Sequence, residues 1–320
     1  MKYTRLGNTE LTVSRLVLGC EQLGGTDWGA YDKESVKAAV NCAVDMGVTT
    51  FDVADVYGLG HAEEILAESL GPRRKDMVIV TKFGVNWRGD DRGGRARTFL
   101  DATPKHVREA LEASLRRLKL DCIPLYLVHW PDPATPVEDT IAALTDCRDK
   151  GLIRYFGVSN FATGLVREAG AAGDISALEL QYNLLDRRPD ESQLDYASKS
   201  GLGVLAYGVL AQGMLTGKYG PDAVFGSDDR RHRLPHFSPE NREKISGLLS
   251  RLRDMSEQYG KSQAQIAINW VLGNSTITGA IVGSKTVQQV TDNVGALDWV
   301  MPAEDYAWLS DSCTEARLIA

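Results

Sequence analysis

Four side chains of complementary chemistry stand at or just beyond the ends of three apolar runs of this chain. The run TTFDVA carries Asp52 and is followed by Tyr57, MVIVTK ends on Lys82, and IPLYLVH ends on His129. A carboxylate, a phenol, an ammonium and an imidazole gathered in one place form a set for moving protons. An ammonium beside a phenol favours the phenolate, and so draws the phenol below its usual pKa of about 10 toward a range useful for proton transfer. In this reading Tyr57 is the proton donor and Lys82 lowers its pKa. Asp52 keeps Lys82 charged and in place, and His129 donates a hydrogen bond that orients a carbonyl oxygen. That chemistry suits reduction of a carbonyl. Taken singly, a strand-end Asp, Lys or His reads as well as a structural ion pair; four on neighbouring runs point to a site.

Such residues converge only if their runs lie side by side and point the same way. Short apolar runs recur at 15–19, 49–54, 77–82, 123–129, 153–159, 177–182, 203–208 and 279–283. Amphipathic segments alternate with them, at roughly 33–46, 61–70, 104–118, 136–149, 163–171, 190–199 and 286–296. In the 104–118 segment Val107, Ala110, Leu111, Ser114, Leu115 and Leu118 share one helical face, behind a Thr103 cap and Pro104 in the first turn. Continuous apolar strands separated by helices mean a parallel sheet covered by helices. Eight units favour a closed (β/α)8 TIM barrel; a doubly wound sheet of six or seven strands is the alternative. Residues 3–13, with Gly7-Asn8 at the turn, read as a hairpin before the barrel. Residues 209–260 exceed a plain connection and read as a functional loop followed by an extra helix, and a further helix is expected at the C-terminus. No linker divides residues 1–320, so a single barrel domain is expected.

Composition narrows the function from the other side. The 320 residues are 43% hydrophobic and 25% charged, with a net charge of −7, which speaks for a folded protein and against nucleic acid or an acidic membrane surface as partner. The five cysteines are scattered and form no C-x-x-C pair, so neither a disulfide framework nor a metal site is expected. A cytoplasmic protein is expected, since the N-terminus lacks a signal-peptide core and no run is long enough to span a bilayer. Association into homo-oligomers stays open.

The chain resembles the aldo-keto reductase family from end to end. The resemblance is carried by FDVADVYGLGHAEEILAESL, VTKFG, DCIPLYLVHWPDP, GLIRYFGVSN, LQYNLLDRR, AYGVLAQGMLTGKY and GAIVGSKTVQQVTDN. LTGKY and VGSK are most similar to the bacterial subgroup related to the potassium-channel β-subunit. The resemblance implies that Asp52, Tyr57, Lys82 and His129 are the catalytic tetrad, and that NADPH/NADP is the cofactor of a reaction reducing an aldehyde or ketone. Two departures stand out. Val53 replaces the more usual Thr, and Lys285 stands where many relatives carry an Arg for the 2′-phosphate, which keeps the charge but not the bidentate fork.

Further residues are candidates for holding that cofactor. Gly283, Ser284 and Lys285 follow a strand and open a helix, which places backbone amides and an ammonium where an anion binds. By themselves Gln289 and Asn293 read as solvated helix face; the resemblance places them at the adenosine end. Ser159, Asn160 and Gln181 end their strands with groups that hydrogen-bond a carboxamide, ordinary turn capping being the alternative. Tyr207 is placed to stack on a nicotinamide ring. Gly208, Leu210, Gln212, Gly213 and Leu215 belong to a segment resembling the family loop along the pyrophosphate. The Gly-x-Gly-x-x-Ala match at Gly201 follows no strand, so Gly201 reads as a helix cap. Trp28, Trp87 and Trp130 are candidates for the walls of a substrate pocket, and 89–97 reads as a charged, solvated loop. Two alternatives to a general carbonyl reductase remain: a keto-sugar reductase dedicated to a biosynthetic pathway, and a cofactor-sensing regulatory subunit.

Overall fold

The computed structural model describes residues 1–29, 31–89, 96–220 and 222–315. An antiparallel pair comes first, β1 (Tyr3–Arg5) and β2 (Thr12–Ser14). Strand and helix then alternate through β3 (Leu16–Gly19), α1 (Lys33–Asp45), β4 (Thr50–Asp52), α2 (His61–Leu70) and β5 (Val78–Phe83). A second hairpin, β6 (Val85–Arg88) and β7 (Arg97–Leu100), precedes α3 (Pro104–Leu118), β8 (Ile123–Val128), α4 (Val137–Asp149), β9 (Ile153–Ser159), α5 (Thr163–Ala172) and β10 (Ala177–Gln181). The last part comprises α6 (Gln193–Ser200), β11 (Gly203–Tyr207), α7 (Pro239–Tyr259), α8 (Gln263–Gly273), β12 (Gly279–Gly283), α9 (Val287–Val294) and α10 (Ala303–Glu315). The strands β3, β4, β5, β8, β9, β10, β11 and β12 run parallel and close in that order into a (β/α)8 TIM barrel.

Strand alternation sorts the core into two layers. On β5, Ile79 and Phe83 face the helices and pack with the large outer core, while Val80 faces the barrel axis beside Val17, Leu125, Leu127, Ala177, Leu205 and Ile281. The β1–β2 hairpin stoppers the N-terminal end of this interior, because Leu6, Leu11 and Val13 join the same inner cluster. Gly7 permits the fit: a Cβ there would lie 2.3 Å from the Gly203 nitrogen. Each fully buried Leu or Ile contributes about 1.5–3 kcal/mol, so the filled interior is a rigid floor for what lies above it.

Most elements follow the sequence periodicity. Helix α3 is capped by the Thr103 hydroxyl, which accepts from the His106 amide, and buries Val107, Ala110, Leu111, Ser114 and Leu118; Leu115 is only half-buried. Gly201 caps α6 in the left-handed conformation, as its context requires. Within 209–260 the expected loop is followed by the expected extra helix, which begins at Pro239, and a further helix, α8, comes after it that the apolar pattern did not separate. The 89–97 segment joins two paired strands of a hairpin, and its central residues 90–95 lie outside the described residues.

Candidate active site at the barrel mouth

The same alternation that fills the barrel with Val and Leu lower down places polar side chains on its axis at the C-terminal ends. Asp52 on β4, Lys82 on β5 and His129 one residue past β8 are all buried. Lys82 Nζ donates to Asp52 Oδ2 at 2.5 Å and to the Val53 carbonyl at 3.1 Å. It also lies 5.7 Å from the centre of the Tyr57 ring. Tyr57 meets His129 edge to face, with ring centres 5.7 Å apart and planes at 84°. The structure thus brings the four residues together.

Tyr57 is presented by the turn between β4 and α2, which presses against the loop after β3. A Cβ on Gly58 would lie 2.4 Å from the Gly24 carbonyl oxygen, and Gly58 has φ +58°, so glycine is required on two grounds. Beyond the turn, the buried Glu63 on α2 accepts from Thr81 Oγ1 at 2.7 Å and from Arg117 Nε at 2.6 Å, tying α2 to β5 and α3. The loop that carries the phenol is therefore anchored at both ends.

The electrostatics contain a residue that sequence reasoning missed. Glu179 on β10 is buried, and its Oε1 lies 3.4 Å from Lys82 Nζ. Burial would lower the Lys82 ammonium, but Asp52 and Glu179 outweigh it and hold it above its ordinary value. Burial, followed by the acidic side chains Glu21, Asp52 and Glu179, pushes the Tyr57 phenol well above 10. The lowering expected from Lys82 is outweighed, with burial the largest cause. Burial and then the Lys82 charge push His129 well below 6.5, so its imidazole is neutral. A lone Glu inside the apolar run ALELQY was the available signal for Glu179, since it shares a strand face with Gln181.

Around this centre the expected ligand-holding residues fall into two groups. Asn160, held at φ +62°, donates to the His129 carbonyl at 2.9 Å and to Ser159 Oγ at 3.0 Å, and accepts from the Tyr207 hydroxyl at 2.6 Å. Gln181 and Tyr207 are paired in register at the ends of β10 and β11. After Gly208, itself at φ +65°, the chain passes through Leu210 into left-handed backbone at Ala211, Gln212 and Gly213. The Leu215 side chain packs into the outer core. At the α9 end, the Ser284 carbonyl accepts from Gln22, and Asn293 donates to Ser284 Oγ at 3.0 Å. Gln289 Oε1 accepts from the Lys285 amide at 2.7 Å, and the Lys285 ammonium donates to the Trp28 carbonyl. These bonds fix the loop at Gly283, Ser284 and Lys285 beside a cavity of about 140 Å³ lined by Gln22, Trp28, Tyr31, Ser35, Lys285 and Thr286 among others.

The aromatic candidates also separate. Trp28, half-buried, lines that cavity, and the guanidinium groups of Arg230 and Arg231 lie over its ring at 5.3 and 5.7 Å. Trp87 sits half-buried on β6, and Trp130, beside His129, is exposed. Among the described residues no cluster of three or more His, Cys, Asp or Glu forms a metal site, and no helix is long and apolar enough to cross a membrane.

Comparison with known proteins agrees with this fold. The model of the aldo/keto reductase family matches residues 15–313. Aldo-keto reductase YhdN of Bacillus subtilis is 33% identical over 308 residues, covering 95% of this chain and 91% of that protein. A probable voltage-gated potassium channel subunit beta of Arabidopsis thaliana is 33% identical over 312 residues, covering 93% and 92% of the two chains. Among solved structures, the glycerol dehydrogenase AKR11B4 from Gluconobacter oxydans superposes with a TM-score of 0.91 at 31% identity, over 99% of this chain and 97% of that one.

Proposed function

The chain belongs to the aldo/keto reductase family, and from that premise we propose that it reduces an aldehyde or ketone to an alcohol at the expense of NADPH, with Tyr57 as general acid. The observation that carries the reading is the packing of Tyr57 against a neutral His129 above the buried Lys82–Asp52 pair. When bound, the nicotinamide supplies the hydride. The residues fit such a group: Lys285 and the cavity beside the α9 N-terminus suit its anionic end, and Ser159, Asn160 and Gln181 offer hydroxyl and amide groups to a carboxamide.

The protein's own groups do the rest. His129, having one N–H as a neutral imidazole, donates to the carbonyl oxygen and fixes its direction. A phenol held well above 10 stays protonated throughout the physiological range, so the proton is always available. The acceptor is the developing alkoxide, a far stronger base than an ordinary phenolate. Lys82 and Asp52 hold the charge beneath the ring while the proton moves. The same raised phenol makes phenolate scarce near neutrality, which favours reduction there and alcohol oxidation as pH rises.

Lys285 is half-buried, lowered first by burial and then by the nearby Arg231 charge, and this concentration of positive charge favours a 2′-phosphate. Fluorescence-quenching titration with NADPH and NADH, followed by turnover of bound cofactor with aldehydes and keto-sugars, tests the proposal. Tighter NADPH binding with turnover is expected; no quenching by either cofactor would overturn the cofactor assignment. The similarity to a channel β-subunit supports a second reading, a cofactor-sensing subunit, which predicts binding without turnover across the panel.

A further inference from the structure

Three ionisable groups meet on the barrel axis, and their charges do not balance. Lys82, Asp52 and Glu179 have side chains 0%, 5% and 4% exposed, so water screens none of them. One ammonium faces two carboxyls, 2.5 Å from Asp52 Oδ2 and 3.4 Å from Glu179 Oε1. Leaving both carboxyls ionised would place a net negative charge in a buried centre, at a cost that protonation of one carboxyl removes. The remaining groups that face Glu179 do not supply a second cation. They are Tyr57 from the turn after β4 and Tyr207 from β11, both phenols, with Ser159 in register on β9.

We propose that Glu179 is a fifth positioning residue of this centre, sharing Lys82 with Asp52 so that the two carboxyls hold one proton between them. The proton resides on Glu179, the more distant carboxyl, and burial followed by the Asp52 charge favours it there. Oε1 faces the Lys82 ammonium at 3.4 Å, so the proton belongs on Oε2, the oxygen that is buried with no hydrogen-bond partner. Because such a pair titrates jointly, loss of this proton belongs to the pair and to the position of Lys82 between them. Once it is lost, Lys82 is drawn toward Glu179 and a full negative charge stands below Tyr57. Proton donation from the phenol then meets an added repulsion, and turnover falls at alkaline pH. This consequence rests on the reductase reading; the shared proton itself does not.

The test therefore has one readout without substrate and one with it. In the unliganded protein labelled with carbon-13 at glutamate carboxyls, one signal is expected to titrate well above the ordinary carboxyl range and to vanish in Glu179→Gln. With NADPH and an aldehyde, the alkaline limb of the turnover profile should move up by about one pH unit or more in Glu179→Gln. Glu179→Leu, which can neither accept from Lys82 nor carry a proton, should lose turnover at every pH, and Gln should restore the larger part. If every glutamate carboxyl titrates in the ordinary range, or Glu179→Gln keeps the wild-type alkaline limb, the proposal is overturned. A high-titrating signal in a protein that turns over no carbonyl would support the shared proton and sink the reductase reading.

Discussion

The two sides of the barrel mouth are built on different principles. On the β4–β5–β8 side, Asp52, Lys82 and His129 stand within strands or one residue beyond them, where the parallel ladder itself sets their positions, and Tyr57 follows on the anchored turn after β4. On the β11–β12 side, the mouth is covered by the long connection before α7, which is held down by side chains. Arg230 binds Glu21 Oε1 at 2.7 Å and stacks on Trp28, while its backbone nitrogen donates to the Asp27 carbonyl at 2.9 Å. Arg242 donates to the carbonyls of Phe237 and Ala223, both at 2.8 Å, and Tyr219, Phe225 and Phe237 form an edge-to-face cluster. A ladder resists change at any one residue, whereas a stitched connection opens where a stitch is cut.

Three substitutions probe that contrast. The largest effect is expected from Tyr57→Phe, which removes the proton but leaves the ladder and connection intact. Turnover should fall by roughly 10²–10⁴-fold with little change in NADPH affinity by fluorescence titration. A variant retaining more than about a tenth of the wild-type rate would remove Tyr57 from its role.

The next effect concerns acid. His236, in the connection, is buried and lowered to about 4 by burial, against about 6.5 when unfolded. Since the folded state resists protonation there, its contribution is intact above about pH 6.5 and is lost as pH falls toward 4. Between pH 7 and 5 this one group should cost on the order of 2 kcal/mol in urea unfolding, and His236→Phe should remove that share of the slope. An unchanged slope would show that the connection is not the acid-sensitive side.

The smallest effect is expected from Arg230→Ala, which cuts two stitches at once. NADPH binding should weaken by roughly tenfold, while the single-turnover rate at saturation changes far less. A parallel fall in that rate would mean the two sides are coupled, and the contrast would fail.

The ladder side was also the more legible side in the sequence. Its strands are covered on both faces and so read as unbroken apolar runs, and Asp52, Lys82 and His129 stand at their ends. The connection was harder for physical reasons. Helix α7 opens on Pro-Glu-Asn-Arg-Glu-Lys, and its sparse buried stripe of Ile245, Leu248, Leu252 and Met255 is easily lost among polar neighbours. Helix α8 has the opposite character: it is apolar nearly all round, so it has no clear period, and its boundary is marked only by the Ser262–Gln265 capping box. The direction of the Tyr57 shift was beyond reach, because it depends first on how deeply the phenol is buried and then on Glu21 and Glu179, which come from elements far apart in the chain.

The stoppered floor has a consequence for the order of events. With Leu6, Leu11 and Val13 seated among the inner Val and Leu side chains, whatever reaches Lys82 must arrive through the mouth. Two molecules that share one entrance form a queue: the one that lies deeper is first in and last out. A protein built this way is committed to a sequence of arrivals and departures, and its slowest step can be a departure rather than the chemistry.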